Sequence, residues 1–278
     1  MHHCIVIGNP IAHSKSPDIH HEFARQTGTS LTYARQYCPN DKDSFVAVVQ
    51  AFFCGGGTGA NVTLPFKEVA YTLCADSGIL SDRARTAGAV NTLALKEGAL
   101  YGDNTDGQGL VMDLLNKGVA LDGQNIAILG AGGATRGALL PLLQAGANLV
   151  IFNRTLAKAQ ALVEAFDSYK THPHQTLSAD TLDAQNLTGT FDIIINATSA
   201  GTTNQSLNLS STDIIAHTAY DMMYGKQTEF LAHFRAQGAL CYDGLGMLVT
   251  QAALAFSLWT GVNVDTLDLS NVHCTLTR

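Results

Sequence analysis

The chain has 278 residues, 46% of them hydrophobic and 14% charged, with a formal charge of −7. That length suits one large domain or two ordinary ones, and the apolar share supports a substantial core and excludes wholesale disorder. An acidic chain lacks the basic footprint that nucleic-acid phosphates demand, whereas a small anionic ligand answers only to the local field of its cleft.

In chain order, short β-rich runs alternate with helical stretches, the pattern of a parallel sheet covered on both faces. Strands are expected at Cys4–Ile7, Leu31–Tyr37, Gly59–Val62 and Val90–Ala94, with helices at Pro17–Thr27, Ser44–Phe53 and Phe66–Ala75 between them. Pro17 suits a first helical turn, where its missing N–H is not needed. The pattern restarts near Gly107 with a helix over Leu110–Asn116 and an apolar strand, Asn125–Leu129, leading into Gly130-Ala131-Gly132-Gly133-Ala134. A helix over Ala134–Ala145 follows, in which Pro141 predicts a kink. Then come strand Asn148–Phe152, helix Leu156–Phe166, and strands Phe191–Ile195, Ala219–Met222 and Leu240–Tyr242. Two α/β domains fit this better than one very wide sheet.

Six scattered cysteines (Cys4, Cys38, Cys54, Cys74, Cys241 and Cys274) show no CxxC spacing and read as reduced thiols of a cytoplasmic protein. The N-terminal apolar run is too short, and lacks the basic start, for a signal peptide. Leu245–Val262 is apolar but contains Thr250, Gln251 and Ser257, so it reads as a buried helix and no membrane partner is expected. His172-Pro173-His174 and His20-His21 lack a third ligand at readable spacing, so no metal is expected. No nucleophile motif of the Gly-x-Ser-x-Gly or Cys–His kind is present.

Strand, tight glycine turn and helix N-terminus together make an anion site, where backbone N–H groups and the helix dipole favour a pyrophosphate. Gly130 makes the turn and Gly132 lets the backbone approach the phosphates. Thr135 stands where the third glycine of GxGxxG belongs. About twenty residues on, an NAD site carries an acid for the ribose 2′-hydroxyl. This chain has Asn153-Arg154-Thr155 and then Lys158, groups that attract a 2′-phosphate, so the expected cofactor is NADP(H).

Polar clusters precede this turn. Ser14-Lys15-Ser16-Pro17 puts two hydroxyls before a helix start, which can be a carboxylate grip or an ordinary cap. Asn61 and Thr63 alternate at a strand end, and Asn91 opens another strand. Lys67 and Asp106 supply an ammonium and a carboxylate for handling a proton.

Over essentially its whole length the chain resembles the shikimate dehydrogenase family. The matching segments are Gly8-Asn9-Pro10-Ile11 into Ser14-Lys15-Ser16-Pro17; Asn61 to Lys67; Gly88 to Thr92; Asn104 to Gly107; Gly130 to Arg136; Asn153-Arg154-Thr155; Asn196-Ala197-Thr198-Ser199; Tyr220 to Tyr224; and Gly244-Leu245-Gly246-Met247 with Gln251. The resemblance implies NADPH-dependent reduction of 3-dehydroshikimate to shikimate, on the route to aromatic amino acids. It implies Lys67 and Asp106 as the catalytic pair, and Ser14, Ser16, Asn61, Thr63, Asn91, Tyr224 and Gln251 as substrate contacts. For the cofactor it implies Asp82, Gly130, Ala131, Gly132, Gly133, Ala134, Asn153, Arg154, Thr155, Lys158, Thr198, Met222, Gly244 and Met247. Lys158 departs from the arginine of many relatives, keeping the charge but losing the fork.

The implied fold is a three-layer α/β substrate domain, residues 1–105 plus 244–278, and a Rossmann-type NADP domain, residues 106–243. The C-terminal helical segment returns to the first domain, and the active site is expected in the cleft between the two. A homodimer is compatible with the resemblance. Two alternatives stand beside this reading: a relative acting on quinate, which shares nearly every motif, and a non-catalytic ligand sensor, which the presence of both Lys67 and Asp106 disfavours.

Overall fold

The computed structural model describes residues 1–198 and 206–277. The chain divides into two compact units, Met1–Gly109 with Leu248–Arg278, and Leu110–Met247.

The first unit is built on a six-stranded sheet of order β2-β1-β3-β5-β6-β4. Its strands are β1 (His2–Gly8), β2 (Leu31–Tyr37), β3 (Gly59–Val62), β4 (Gly78–Leu80), β5 (Thr92–Lys96) and β6 (Ala99–Asp103). Strand β1 is buried on both faces, and its alternate residues feed different cores. Ile5 and Ile7 pack with Phe45, Val49, Phe66 and Ala70 from helices α2 (Lys42–Cys54) and α3 (Lys67–Ser77) and the turn before α3. Cys4 and Val6 pack with Tyr33, Ala255 and Trp259. Helix α1 (Ser16–Thr27) joins that second layer through Ile19 and Phe23, and carries Pro17 in its first turn as expected.

The expectation of a parallel sheet needs correction here. Strands β3–β5 and β5–β6 pair antiparallel, while β1–β2, β1–β3 and β4–β6 are parallel. A tight turn at Glu97-Gly98, both with positive φ, reverses the chain between β5 and β6 and makes them a hairpin. Because β5 runs backwards, its start at Thr92 lies opposite both Asn61 at the end of β3 and Asp103 at the end of β6. Three polar segments therefore meet at one end of these interior strands.

The second unit has six parallel strands of order β12-β11-β10-β7-β8-β9. They are β7 (Asn125–Leu129), β8 (Asn148–Asn153), β9 (Leu177–Thr181), β10 (Thr188–Asn196), β11 (Asp213–Asp221) and β12 (Leu240–Asp243). Read from β7 outwards, this is the doubly wound order 3-2-1-4-5-6, with its switch point between β7 and β10. Ile126 and Ile128 face a core with helices α5 (Asp106–Asn116), α6 (Gly133–Gln144) and α7 (Leu156–Phe166). Ala127 and Leu129 face the opposite core, filled by Phe230, Leu231 and Phe234 of α8 (Glu229–Ala236). Helix α6 continues through Pro141, whose carbonyl still accepts the Ala145 N–H at 3.0 Å, so the proline does not end the helix.

The apolar run near the C-terminus is helix α9 (Leu245–Thr260), followed by α10 (Leu269–Thr277). Val249, Ala252, Ala253 and Phe256 of α9 pack with α1 inside the first unit. Among the described residues, no helix is long and apolar enough to cross a membrane.

Candidate active site

In the first unit, Lys67 opens α3 and Asp106 opens α5. Lys67 Nζ donates to Asp106 Oδ2 at 2.6 Å, and the two side chains are only 29% and 25% exposed. Asn91 Nδ2 donates to the other carboxylate oxygen at 2.8 Å and to Thr105 Oγ1 at 3.0 Å. Asn91 Oδ1 in turn accepts the Thr105 N–H at 2.9 Å. Both oxygens of Asp106 thus have fixed partners, and the lysine ammonium is held at one defined point. The carbonyl of Lys67 is also tied, by the Val90 N–H at 2.9 Å. Such an ammonium can polarise a carbonyl oxygen and pass it a proton, with the carboxylate as its orienting partner.

The amides expected to face substrate surround this pair. Asn61 Oδ1 accepts from the Tyr33 hydroxyl at 2.7 Å, and its Nδ2 donates to Asn91 O and Thr92 Oγ1, both at 3.2 Å. Gln251, on α9, receives Thr105 Oγ1 at 3.5 Å and donates to Leu248 O at 2.8 Å. Gly109 allows α5 this close approach, since a Cβ there would stand 2.9 Å from the Gln251 backbone nitrogen. Ser14 and Ser16 are linked, Oγ to Oγ, at 3.2 Å, and Arg35 clasps the Ser14 carbonyl through Nε at 2.9 Å and Nη2 at 2.6 Å. Thr63 lies just past β3, half-buried, and its carbonyl accepts the Phe66 N–H of the turn into Lys67. Asp82 is exposed in the first turn of α4 (Asp82–Ala87), whose cap is Ser81.

Sequence reasoning passed over the groups that hold these residues in place. Thr105, 1% exposed, links Asn91 to Gln251, and Tyr33 fixes the Asn61 amide. Beneath Tyr33 lies His20, fully buried, with its ring stacked at 4.3 Å and neither nitrogen hydrogen-bonded among the described residues. Burial pushes its imidazole down to about 3, against the opposing pull of nearby Asn61. The histidine pair was readable in the sequence, but only the aromatic packing shows that His20 is a core residue.

In the second unit the glycine turn sits at the switch point of the sheet. Gly130 has φ of +103°, and a Cβ there would stand 3.2 Å from the Ala197 carbonyl at the end of the neighbouring strand. At Gly132 and Gly133 a Cβ would meet nothing within 4 Å, so the surface over the turn is open. Gly132 caps α6 without a side-chain bond, which leaves first-turn N–H groups for an outside acceptor. Thr135 takes the third-glycine position by turning its hydroxyl inwards, onto the Gly130 carbonyl at 2.7 Å. Asn153 Oδ1 accepts the Ala131 N–H at 3.2 Å, joining the turn to the end of β8, where Arg154, Thr155 and Lys158 are exposed. A phosphate-bearing dinucleotide fits this donor set.

Thr198, Met222 and Gly244, also expected at the cofactor, lie just past the ends of the following strands, and Met247 lies in the first turn of α9. Thr198 donates through N and Oγ1 to Asn196 Oδ1. Met222 packs on the core beside Tyr220, and its backbone closely abuts Gly244, where any side chain would collide. The Met247 N–H donates to the Tyr220 hydroxyl at 3.2 Å. Tyr224 is partly exposed in this unit, past the end of β11, and burial raises its phenol. Ser199 lies outside the described residues.

A doubly wound dinucleotide domain, joined to a unit that holds a lysine–aspartate pair among buried amides, defines a nicotinamide-dependent oxidoreductase of the two-domain α/β class. Residues 6–93 match the model of the shikimate dehydrogenase substrate binding domain, residues 113–211 that of shikimate / quinate 5-dehydrogenase, and residues 244–267 that of the shikimate 5'-dehydrogenase C-terminal domain. A shikimate dehydrogenase (NADP(+)) of Psychrobacter arcticus is 53% identical over 276 residues, covering 95% of this chain and 94% of its own. Among solved structures, an Ael1 enzyme from Pseudomonas putida is 40% identical with a TM-score of 0.88, covering 99% and 98% of the two chains. Shikimate 5-dehydrogenase from Thermus thermophilus, in complex with NADP(H) and shikimate, is 32% identical with a TM-score of 0.81, covering 99% of each. The chain belongs to the shikimate dehydrogenase family.

Proposed function

We propose that this protein catalyses the reversible, NADP(H)-dependent reduction of 3-dehydroshikimate to shikimate, a step towards chorismate and the aromatic amino acids. One observation carries the reading: the 2.6 Å Lys67–Asp106 pair, with Asn91 on the second carboxylate oxygen. Its relatives support the choice of substrate and cofactor, since the Psychrobacter protein is a shikimate dehydrogenase (NADP(+)) and the Thermus structure contains NADP(H) and shikimate.

In this reading the hydroxyls of Ser14 and Ser16 grip the substrate carboxylate, and Asn61, Thr63, Asn91, Tyr224 and Gln251 read its ring hydroxyls. Residues Gly130–Ala134 hold the pyrophosphate; Arg154, Thr155 and Lys158 hold the 2′-phosphate. Asn153, Thr198, Met222, Gly244 and Met247 line the rest of the nucleotide, with Asp82 towards the nicotinamide. Bound NADPH supplies the hydride. Lys67 polarises the ketone and stabilises the alkoxide as it forms, delivering the proton from Nζ, while Asp106 and Asn91 keep that ammonium aimed. In the oxidative direction the same pair accepts the hydroxyl proton. The protein works in the cytoplasm, in keeping with six free thiols.

The test is turnover with shikimate and with quinate, each with NADP and with NAD. The shikimate–NADP combination should have the highest kcat/KM by at least an order of magnitude. Equal kcat/KM for quinate would move the assignment to the broader relative, and no turnover of either acid would reject it.

A further inference from the structure

Asp103, the last residue of β6, is 3% exposed yet carries a full carboxylate. Its Oδ1 accepts the Ser81 hydroxyl at 2.6 Å, Arg83 Nε at 3.2 Å and the Asn104 N–H at 2.7 Å. Its Oδ2 accepts Arg83 Nη2 at 2.7 Å. Burial alone would raise this carboxyl, but the Arg83 guanidinium and the Ser81 hydroxyl outweigh burial and hold it below the usual range. Arg83 meets it as a two-pronged fork, which sets direction as well as charge.

This anchor sits directly before the segment that carries Asp106. Asn104, whose N–H the Asp103 carboxylate holds, spans the remaining gap with its own amide. Asn104 Nδ2 donates to Ala89 O at 3.1 Å, and its Oδ1 accepts the Asp106 N–H at 3.2 Å. On the other side, Ser81 caps α4 by accepting the Ala84 N–H at 3.0 Å while its hydroxyl donates to Asp103. A continuous chain of bonds therefore runs from α4 through Arg83, Asp103 and Asn104 to the backbone of Asp106. Among the described residues Lys67 Nζ bonds to Asp106, and the side chains of Ser81, Arg83, Asp103 and Asn104 bond elsewhere, so they act on the ion pair through the backbone of Asp106.

We propose that Arg83 and Asp103 are positioning residues for the reaction, an arginine–carboxylate brace that fixes the backbone of Asn104–Asp106 and so aims the Asp106 carboxylate at Lys67. The catalytic part of this proposal rests on Lys67 and Asp106 being the reacting pair. A group displaced by about 1 Å can lose on the order of a hundredfold in rate, which makes a brace whose carboxylate is buried three residues before Asp106 a kinetic element as well as a structural one.

Asp103→Asn keeps the shape but places an amide N–H group against Arg83 or the Asn104 N–H. Arg83→Lys keeps the charge and loses the fork. The full-length variants are compared with wild type for kcat, for KM of shikimate, for Tm and for hydrogen exchange of the Asn104–Asp106 amides. Val49→Ala, on the buried face of α2, serves as the control for a loss of Tm that arises in the core. Asp103→Asn should lower kcat by about 10–100-fold with the shikimate KM changed less than threefold, and should speed exchange at Asn104–Asp106; Arg83→Lys should fall between it and wild type. Val49→Ala should leave kcat and that exchange unchanged. Asp103→Asn with wild-type exchange at Asn104–Asp106, or with kcat no lower than in Val49→Ala, overturns the brace. A wild-type kcat in Asp106→Asn would instead overturn the catalytic pair, and the exchange result still decides whether the brace holds the loop.

Discussion

Asp106→Asn is the sharpest test of the proton-handling pair, because it changes almost nothing but charge. The side chain keeps its volume, and its Oδ1 can still accept the Asn91 amide, now at 2.8 Å from the carboxylate. The other branch becomes an NH2 group facing Lys67 Nζ, where the carboxylate oxygen stood at 2.6 Å. Two donors then oppose each other, and one charge-assisted hydrogen bond is lost, worth about 1.5–3 kcal/mol. If that bond is felt fully in the transition state, kcat falls by roughly 10–150-fold. Loss of assisted proton transfer extends the expected range to about 10²–10⁴. The effect on Tm should be smaller than that on kcat, since water reaches both side chains, 29% and 25% exposed, and can solvate the two donors left opposed. Steady-state rates with shikimate and NADP at fixed pH, with substrate affinity from titration, separate the two effects. A kcat within threefold of wild type, or a loss wholly in shikimate binding, would refute Asp106 as the partner that aims the Lys67 ammonium. Because the pair acts as a unit, Lys67→Ala/Asp106→Asn should be little slower than the slower single variant.

Arg154→Ala should weaken NADP by about 1.5–3 kcal/mol while leaving NAD nearly unchanged, as read by isothermal titration of both nucleotides; equal losses would remove the 2′-phosphate role. Gln251→Ala should raise the shikimate KM about tenfold without altering NADP affinity, because its amide lies with Thr105 and Asn91 in the substrate-side network; an unchanged KM would exclude it from substrate. His20 gives the fold an acid limit: its folded imidazole, pushed down to about 3, stays neutral where the unfolded chain takes up a proton below about pH 6.5. Stability from this group is therefore complete above pH 6.5 and falls towards pH 3 by at most about 1.4 kcal/mol per unit. Urea unfolding of wild type and His20→Phe at pH 7 and 4.5 should show a shallower loss in the variant, and identical pH dependence would refute the neutral, buried histidine.

The central strands of the nucleotide unit were legible along the chain because parallel strands buried on both faces leave continuous apolar runs, whereas the polar edge strand β9 and helix α8 were not expected. Asn125–Leu129 and the helix Leu156–Phe166 have the same bounds in the structure as in the sequence reading. The glycine turn was legible too, since strand, turn and helix start are contiguous and each leaves a local signal. The first unit was harder to read. Strand β4 has only three residues and β6 begins at the exposed turn after Lys96, so neither shows a periodicity long enough to detect. Helix α10 also left little signal, as its place depends on the layer that α1 and α9 form beneath it.

Residue types were thus set by the sequence itself: a lysine after one strand, an aspartate at a helix start, amides at strand ends, and an arginine–threonine–lysine set where an acid would select NAD. Their assembly was decided by strand pairing. Lys67 and Asp106 are 39 positions apart, and they meet because β5 runs antiparallel between β3 and β6, bringing Asn91 to the same end of the strands as both. The brace of Arg83 on Asp103 has the same origin, since the pairing of β4 with β6 sets α4 beside the end of β6. Strand direction and register are fixed by hydrogen bonds between distant segments and by burial of the faces they create, and neither quantity exists in any local window of the chain.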